Sequence, residues 1–77
     1  MLIKEIEIDE NNIGYVPSLG LSFQMNETAK KIIELLKENK EQKEIAKIIS
    51  EENNIDYKEA YIDVEDVILK LRVMGLL

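Results

Sequence analysis

Leu21-Ser22-Phe23-Gln24-Met25, followed at once by Asn26-Glu27-Thr28-Ala29, reads LSFQMNETA and decides the fold. Its first five residues alternate apolar and polar, the period of a half-buried strand. Asn26 is a good helix N-cap, and Glu27 suits the positive end of a helix. The strand therefore runs into a helix with no linker. A strand this short is marginal alone in water. Either the rest of the fold covers it, or its free edge is kept for something else.

Upstream, Leu2 to Ile8 alternates charged and β-branched residues, with Ile6 and Ile8 on one face, and predicts a strand. Asp9–Asn12 is its turn. Ile13-Gly14-Tyr15-Val16 predicts a second strand. Pro17 lacks an N–H for the ladder and belongs at the end of that strand or on an edge. Ser18-Leu19-Gly20 turns the chain back into Leu21–Met25.

Downstream, Met25, Ala29, Ile32, Ile33 and Leu36 recur at helical spacing and define a first helix ending near Glu38-Asn39-Lys40. A second helix is expected from about Glu41 to Asn53, with Ile45, Ala46, Ile48 and Ile49 inward and Asn53-Asn54 as its stop. Asp56-Tyr57-Lys58-Glu59 has the pattern of a capping box opening a third helix. That helix should reach about Met74, with Gly75 as its left-handed stop and Leu76-Leu77 folding back as an apolar lid. Three strands followed by three helices make a small α+β domain, read as one unit over residues 1–77.

The third helix carries two apolar faces. At 3.6 residues per turn, Tyr57, Ala60, Tyr61, Val64, Val67, Ile68 and Leu71 form a wide core stripe. Ile62, Leu69 and Val73 fall on the opposite side, where a surface helix normally carries polar groups. Single exposed apolar residues are common and need no function. The sharper reading is a groove wall, with the free strand as the other wall. An extended peptide would add to Leu21–Met25 through main-chain hydrogen bonds and press side chains against Ile62, Leu69 and Val73.

Composition narrows the alternatives. With 77 residues, the domain buries only roughly 60–65% of its unfolded surface, so its stability margin is thin. Hydrophobic residues at 45% and charged residues at 34% suit a soluble chain with a real core. The net charge of -6 repels phosphate backbones and anionic lipids, which argues against nucleic acid or a membrane surface as partner. The amino terminus has no signal-peptide pattern, so a cytoplasmic location is the default. Cys and His are both absent, which removes thiolate metal sites, the strongest nucleophile and the side chain that titrates near neutrality. Ser18, Ser22 and Ser50 have no identifiable base partner. Asp63-Val64-Glu65-Asp66 offers carboxylates, yet successive helical positions point apart and cannot converge on one ion. The mixed run Lys37–Glu44 gives no single-sign patch, and the isolated Gly14, Gly20 and Gly75 make no phosphate loop. Neither an enzyme nor a bound cofactor is expected.

The stretch MNETAKKIIELL, then KEIAKII, then IDVEDVILKLRVMGLL resembles the PqqD-like proteins. These are the precursor-peptide recognition elements of ribosomally made, later modified peptides (RiPPs). The resemblance spans roughly residues 13 to 77. It rests on the helix start at Asn26-Glu27-Thr28-Ala29, Glu44-Ile45-Ala46, the Asp63-Val64 pair, and Gly75-Leu76-Leu77. It implies a winged helix-turn-helix with three strands before three helices. It also implies a peptide chaperone that binds a precursor's leader and presents it to a modifying enzyme, such as a radical SAM enzyme. In that family the leader lies as an extra strand on the third strand, beside the third helix. Here that is Leu21–Met25 with the Ile62, Leu69 and Val73 region. Two departures stand out. Met25 replaces the usual Leu, a volume-conserving change. Glu41 replaces the Ser or Thr that usually caps the second helix.

Two other readings remain at this point. A winged-helix DNA-binding protein would place the third helix in a major groove. That helix, however, brings Lys58, Lys70 and Arg72 against Glu59, Asp63, Glu65 and Asp66. A homodimer could pair through the same open edge.

Overall fold

Ile3 and Ile6 stand three residues apart, a spacing that a strand would send to opposite faces. A computed structural model of the chain, which describes residues 2–77, resolves this with a 3₁₀ turn at Leu2–Glu5. The Ile6 N–H donates to the Ile3 carbonyl at 3.2 Å, and both side chains are buried. Three residues per turn places them on one side. The strand expected from Leu2 to Ile8 therefore shrinks to β1, Glu7–Ile8, with Ile8 only half-buried.

β2 (Ile13–Val16) and β3 (Leu21–Gln24) complete a three-stranded antiparallel sheet in the order β1-β2-β3. The Asp9 carboxylate shapes the first turn by accepting the N–H groups of Asn11 and Ile13, each at 2.9 Å. Pro17 ends β2, and a short 3₁₀ turn at Pro17–Leu19 leads through Gly20 into β3. Met25 lies just past β3, although its N–H still reaches the Asn12 carbonyl at 3.0 Å.

α1 (Glu27–Lys37) begins where the sequence predicts: the Asn26 side chain accepts the Ala29 N–H at 2.8 Å. Glu27 in turn accepts a bond from the Asn12 side chain, tying the helix start to the first hairpin turn. α2 spans Gln42–Asn53, with Glu41 before it making no side-chain cap. α3 spans Tyr57–Val73. The capping box expected at Asp56 does not form; its exposed carboxylate stays in water, where hydration competes with one backbone donor. The order of three antiparallel strands and three helices is the α+β, winged-helix arrangement expected.

The end of α3 is fixed more firmly than its start. Gly75 adopts φ 78°, the Gly75 N–H bonds the Arg72 carbonyl at 3.0 Å, and the Leu76 N–H bonds the Leu71 carbonyl at 2.8 Å. This paired pattern is a Schellman motif, and Leu71 and Leu76, the positions that usually pack together in it, are buried in one cluster. Leu76 is wholly buried, as the lid reading required.

Two apolar clusters hold the elements together. Ile32, Leu35, Ile45, Ala46, Ile49 and Val64 belong to the one that binds the three helices to each other. Ile3, Ile6, Val16, Ile33, Leu71 and Leu76 form the one that binds the sheet to α1 and α3. Tyr57, expected on the core stripe, is exposed because it occupies the first position of α3, beyond the packed layer; its ring leans on Tyr61 at 6.1 Å.

Candidate functional site

β3 is an edge strand, so half of its backbone groups face no strand of the sheet. The pairing register identifies which ones. Gly14 faces Phe23, and the Met25 N–H bonds back to Asn12. Hydrogen-bonded and non-hydrogen-bonded pairs alternate along an antiparallel ladder. Leu21, Phe23 and Met25 therefore turn their N–H and C=O groups toward β2. Ser22 and Gln24 turn theirs toward the open edge. Any chain that extends the sheet must bond to those two residues.

Side chains divide the same way. Leu21 and Phe23 are half-buried and face the helices, whereas Ser22 and Gln24 are exposed. Beyond the edge, the last two turns of α3 rise beside β3. Between them lies a cleft of about 420 Å³ lined by Phe23, Gln24, Leu69, Lys70, Val73 and Met74. A neighbouring hollow of about 280 Å³ runs from Phe23 toward Met25, Ala29 and Val67 on the α1 side. Leu69 is 50% exposed and Val73 89% exposed, so two large apolar side chains stand in water on the helical wall.

Of the residues singled out from sequence, Phe23, Gln24, Leu69 and Val73 meet in this cleft. Leu21 packs against the core cluster beneath the sheet, Ser22 lies on the outer face, and Met25 lines the adjoining hollow. Ile62 stands apart. It precedes Leu69 by two helical turns, about 10 Å along the axis. It borders a different depression, with Lys43, Tyr57, Lys58 and Tyr61.

Two lining residues escape the periodicity. Met74 reads as the end of a helix, and Lys70 as solvated charge; in the fold both flank the cleft. A lysine can lay its aliphatic stem along apolar surface while its ammonium stays wet. Among the described residues, Lys70 is the one ionisable group lining the cleft. The arrangement suits recognition of an extended chain: backbone partners on one wall, apolar side chains on the other.

The family model for coenzyme PQQ synthesis protein D (PqqD) matches residues 15–77. No match is found among curated proteins. Among solved structures, the chain resembles that titled "Lasso peptide synthetase B1 complexed with the leader peptide". The TM-score is 0.78 at 20% identity, covering 94% of this chain and 88% of the other. That likeness bears on the fold, which the two share across nearly their whole lengths.

Proposed function

The chain belongs to the PqqD family, and from that premise we propose that it is a non-catalytic chaperone for the leader of a ribosomally made precursor peptide. The leader adds as a fourth strand at β3, bonds to the backbone of Ser22 and Gln24, and packs side chains against Leu69, Val73 and Met74. The bound leader is then offered to a modifying enzyme, a radical SAM enzyme among the candidates. Such a role places the protein in the cytoplasm, where precursors are made; no helix among the described residues is long and apolar enough to cross a membrane.

The observation that carries this reading is the juxtaposition of an unpaired strand edge with an apolar cleft of about 420 Å³. Supporting it, the similar solved structure is titled as a complex with a leader peptide. Each new backbone bond adds a modest ~0.5–1.5 kcal/mol, so the cleft must supply selectivity.

Nucleic-acid binding has less support. α3 opposes three cations, Lys58, Lys70 and Arg72, with four carboxylates, Glu59, Asp63, Glu65 and Asp66. Pairing of two copies through β3 would compete with the leader for the same edge.

The test is a titration of ¹⁵N-labelled protein with the leader encoded by a short reading frame beside this gene. The Ser22 and Gln24 amides should shift most, with methyl shifts at Leu69 and Val73. Absence of shifts at residues 21–25 under large peptide excess would remove the proposal. Sedimentation of the free protein at micromolar concentration separates peptide capture from self-pairing.

A further inference from the structure

Gly14 sits in the middle of β2, where glycine weakens a strand by its freedom and its lack of a side chain. Its backbone does not require glycine: the glycines with positive φ are Gly20 and Gly75. Space requires it instead. A Cβ built on Gly14 would stand 2.7 Å from the Met25 Cε and 2.9 Å from the Phe23 Cζ. Phe23 lies directly across the ladder from Gly14, so both project on the same face. The Phe23 ring and the Met25 methyl group therefore fold back over a bare stretch of β2 backbone. They lean away from the open edge.

That lean shapes the cleft. Phe23 lines both the main cleft and the adjoining hollow, and Met25 lines the hollow. Because the Phe23 N–H and C=O point to β2, a strand added antiparallel meets Phe23 as a non-hydrogen-bonded pair, the closer of the two spacings. The incoming residue opposite Phe23 projects on the same face, toward α3. Its neighbours, opposite Ser22 and Gln24, project away from the helix. One peptide position therefore enters the space that the displaced Phe23 ring leaves open.

Resting on the leader-binding proposal, we infer that Gly14 is the specificity-determining residue of this site. By letting Phe23 and Met25 lie back across β2, it admits a large apolar side chain on the peptide residue that faces Phe23. Both atoms in conflict with a Cβ are ends of flexible side chains, so Gly14→Ala is accommodated by turning them outward. The fold survives and the cleft becomes shallower.

The experiment begins with a phage-displayed library of random ten-residue peptides, selected on the wild-type protein. Contacts from peptide backbone to Ser22 and Gln24, seen as nuclear Overhauser effects, identify the residue opposite Phe23. The best peptide is then made with Ala, Leu or Phe at that position. The wild type should bind the Phe or Leu form about tenfold tighter than the Ala form. In Gly14→Ala that ratio should fall to about one, the scale of a single overpacked contact. A change in overall stability would weaken all three peptides alike and leave the ratio untouched. The Gly14→Ala/Phe23→Leu double variant, which shortens the obstructing ring, should restore the preference.

An unchanged ratio in Gly14→Ala overturns the inference while leaving leader binding intact. Should Gly14→Ala fail to fold, Phe23→Leu alone decides: a gain for the Phe peptide over the Leu peptide supports the inference, and no change overturns it. If no selected peptide perturbs Ser22 or Gln24, leader binding itself fails and this inference with it.

Discussion

Leu69 and Leu71 are two residues apart on one helix and identical in chemistry, yet they do different work. Leu71 is 1% exposed and locks the carboxy-terminal turn to the sheet through Leu76; Leu69 is 50% exposed and faces the cleft at the edge of β3. Ile62 extends the comparison. It is as exposed as Leu69 and lies on the same side of α3, but it borders Tyr57 and Tyr61 rather than an open strand. Exposure of an apolar side chain is therefore insufficient to define a site. What distinguishes Leu69 is an unsatisfied backbone edge within reach, so that burial and hydrogen bonding can be gained by one incoming chain.

The largest expected effect separates the two leucines. Leu71→Ala should destabilise the protein by about 2–5 kcal/mol, the usual range for truncating a filled core position. In a domain this small that consumes much of the native margin. Leu69→Ala should change stability by no more than about 0.5 kcal/mol. Denaturant melts of both variants check this, and equal losses would abolish the distinction between core and cleft.

Next in size is a charge in the wall. Leu69→Asp should weaken leader binding by about ten- to a hundredfold, because the carboxylate must lose water against an apolar peptide side chain. Ile62→Asp, on the same helical line, should leave the affinity within about twofold. Calorimetric titration of both with one leader peptide measures the difference. Comparable losses would show that the bound chain runs the length of α3, and would draw Ile62 back into the site.

Much of this pattern was legible from residue order, and the misses share a cause. The strand-to-helix joint at Gln24–Glu27, the Asn26 cap and the Gly75 stop depend on a few adjacent residues, and the structure has each. The cleft between β3 and α3 was also legible in part, because the second apolar face of α3 and the short strand could be set side by side, as Leu69, Val73 and Phe23 are. The amino-terminal strand is shorter than residue order suggests because alternating charge imitates a period of two, while Ile3 and Ile6 answer to a core met only in three dimensions. Ile62 shares only its angle with Leu69; a helical wheel discards height along the axis, and height decides which residues reach β3. Gly14 carries a signal beyond the absence of a phosphate loop. A glycine inside a strand pattern marks close approach, and here the approaching groups are Phe23 and Met25.

A smaller effect tests the strand wall without touching the helix. Ser22→Pro deletes an N–H that points to the open edge and spares the ladder to β2, since Pro is tolerated on edge strands. Leader affinity should fall about tenfold, for one lost backbone bond and the obstruction by the ring. The melting temperature should drop by only a few degrees. An unaltered affinity would mean that the peptide lies on α3 alone and adds no strand.

The smallest expected effect is that of salt, and it discriminates between the two exposed regions of α3 most directly. The cleft beside β3 has one lysine at its rim, whereas the depression at Ile62 is bordered by Lys43 and Lys58. The whole chain carries a net charge of -6, so any charged peptide feels a long-range field that salt screens. A leader variant with no net charge removes that contribution. Raising sodium chloride from about 0.05 to 0.5 M shortens the screening length from roughly 14 to 4 Å. Hydrogen bonds to Ser22 and Gln24, and apolar packing on Leu69, Val73 and Met74, are nearly indifferent to that change. The affinity should stay within about twofold. A steep decline would instead mean that several ionic contacts dominate, which Lys43 and Lys58 beside Ile62 can provide together and the single Lys70 of the cleft cannot.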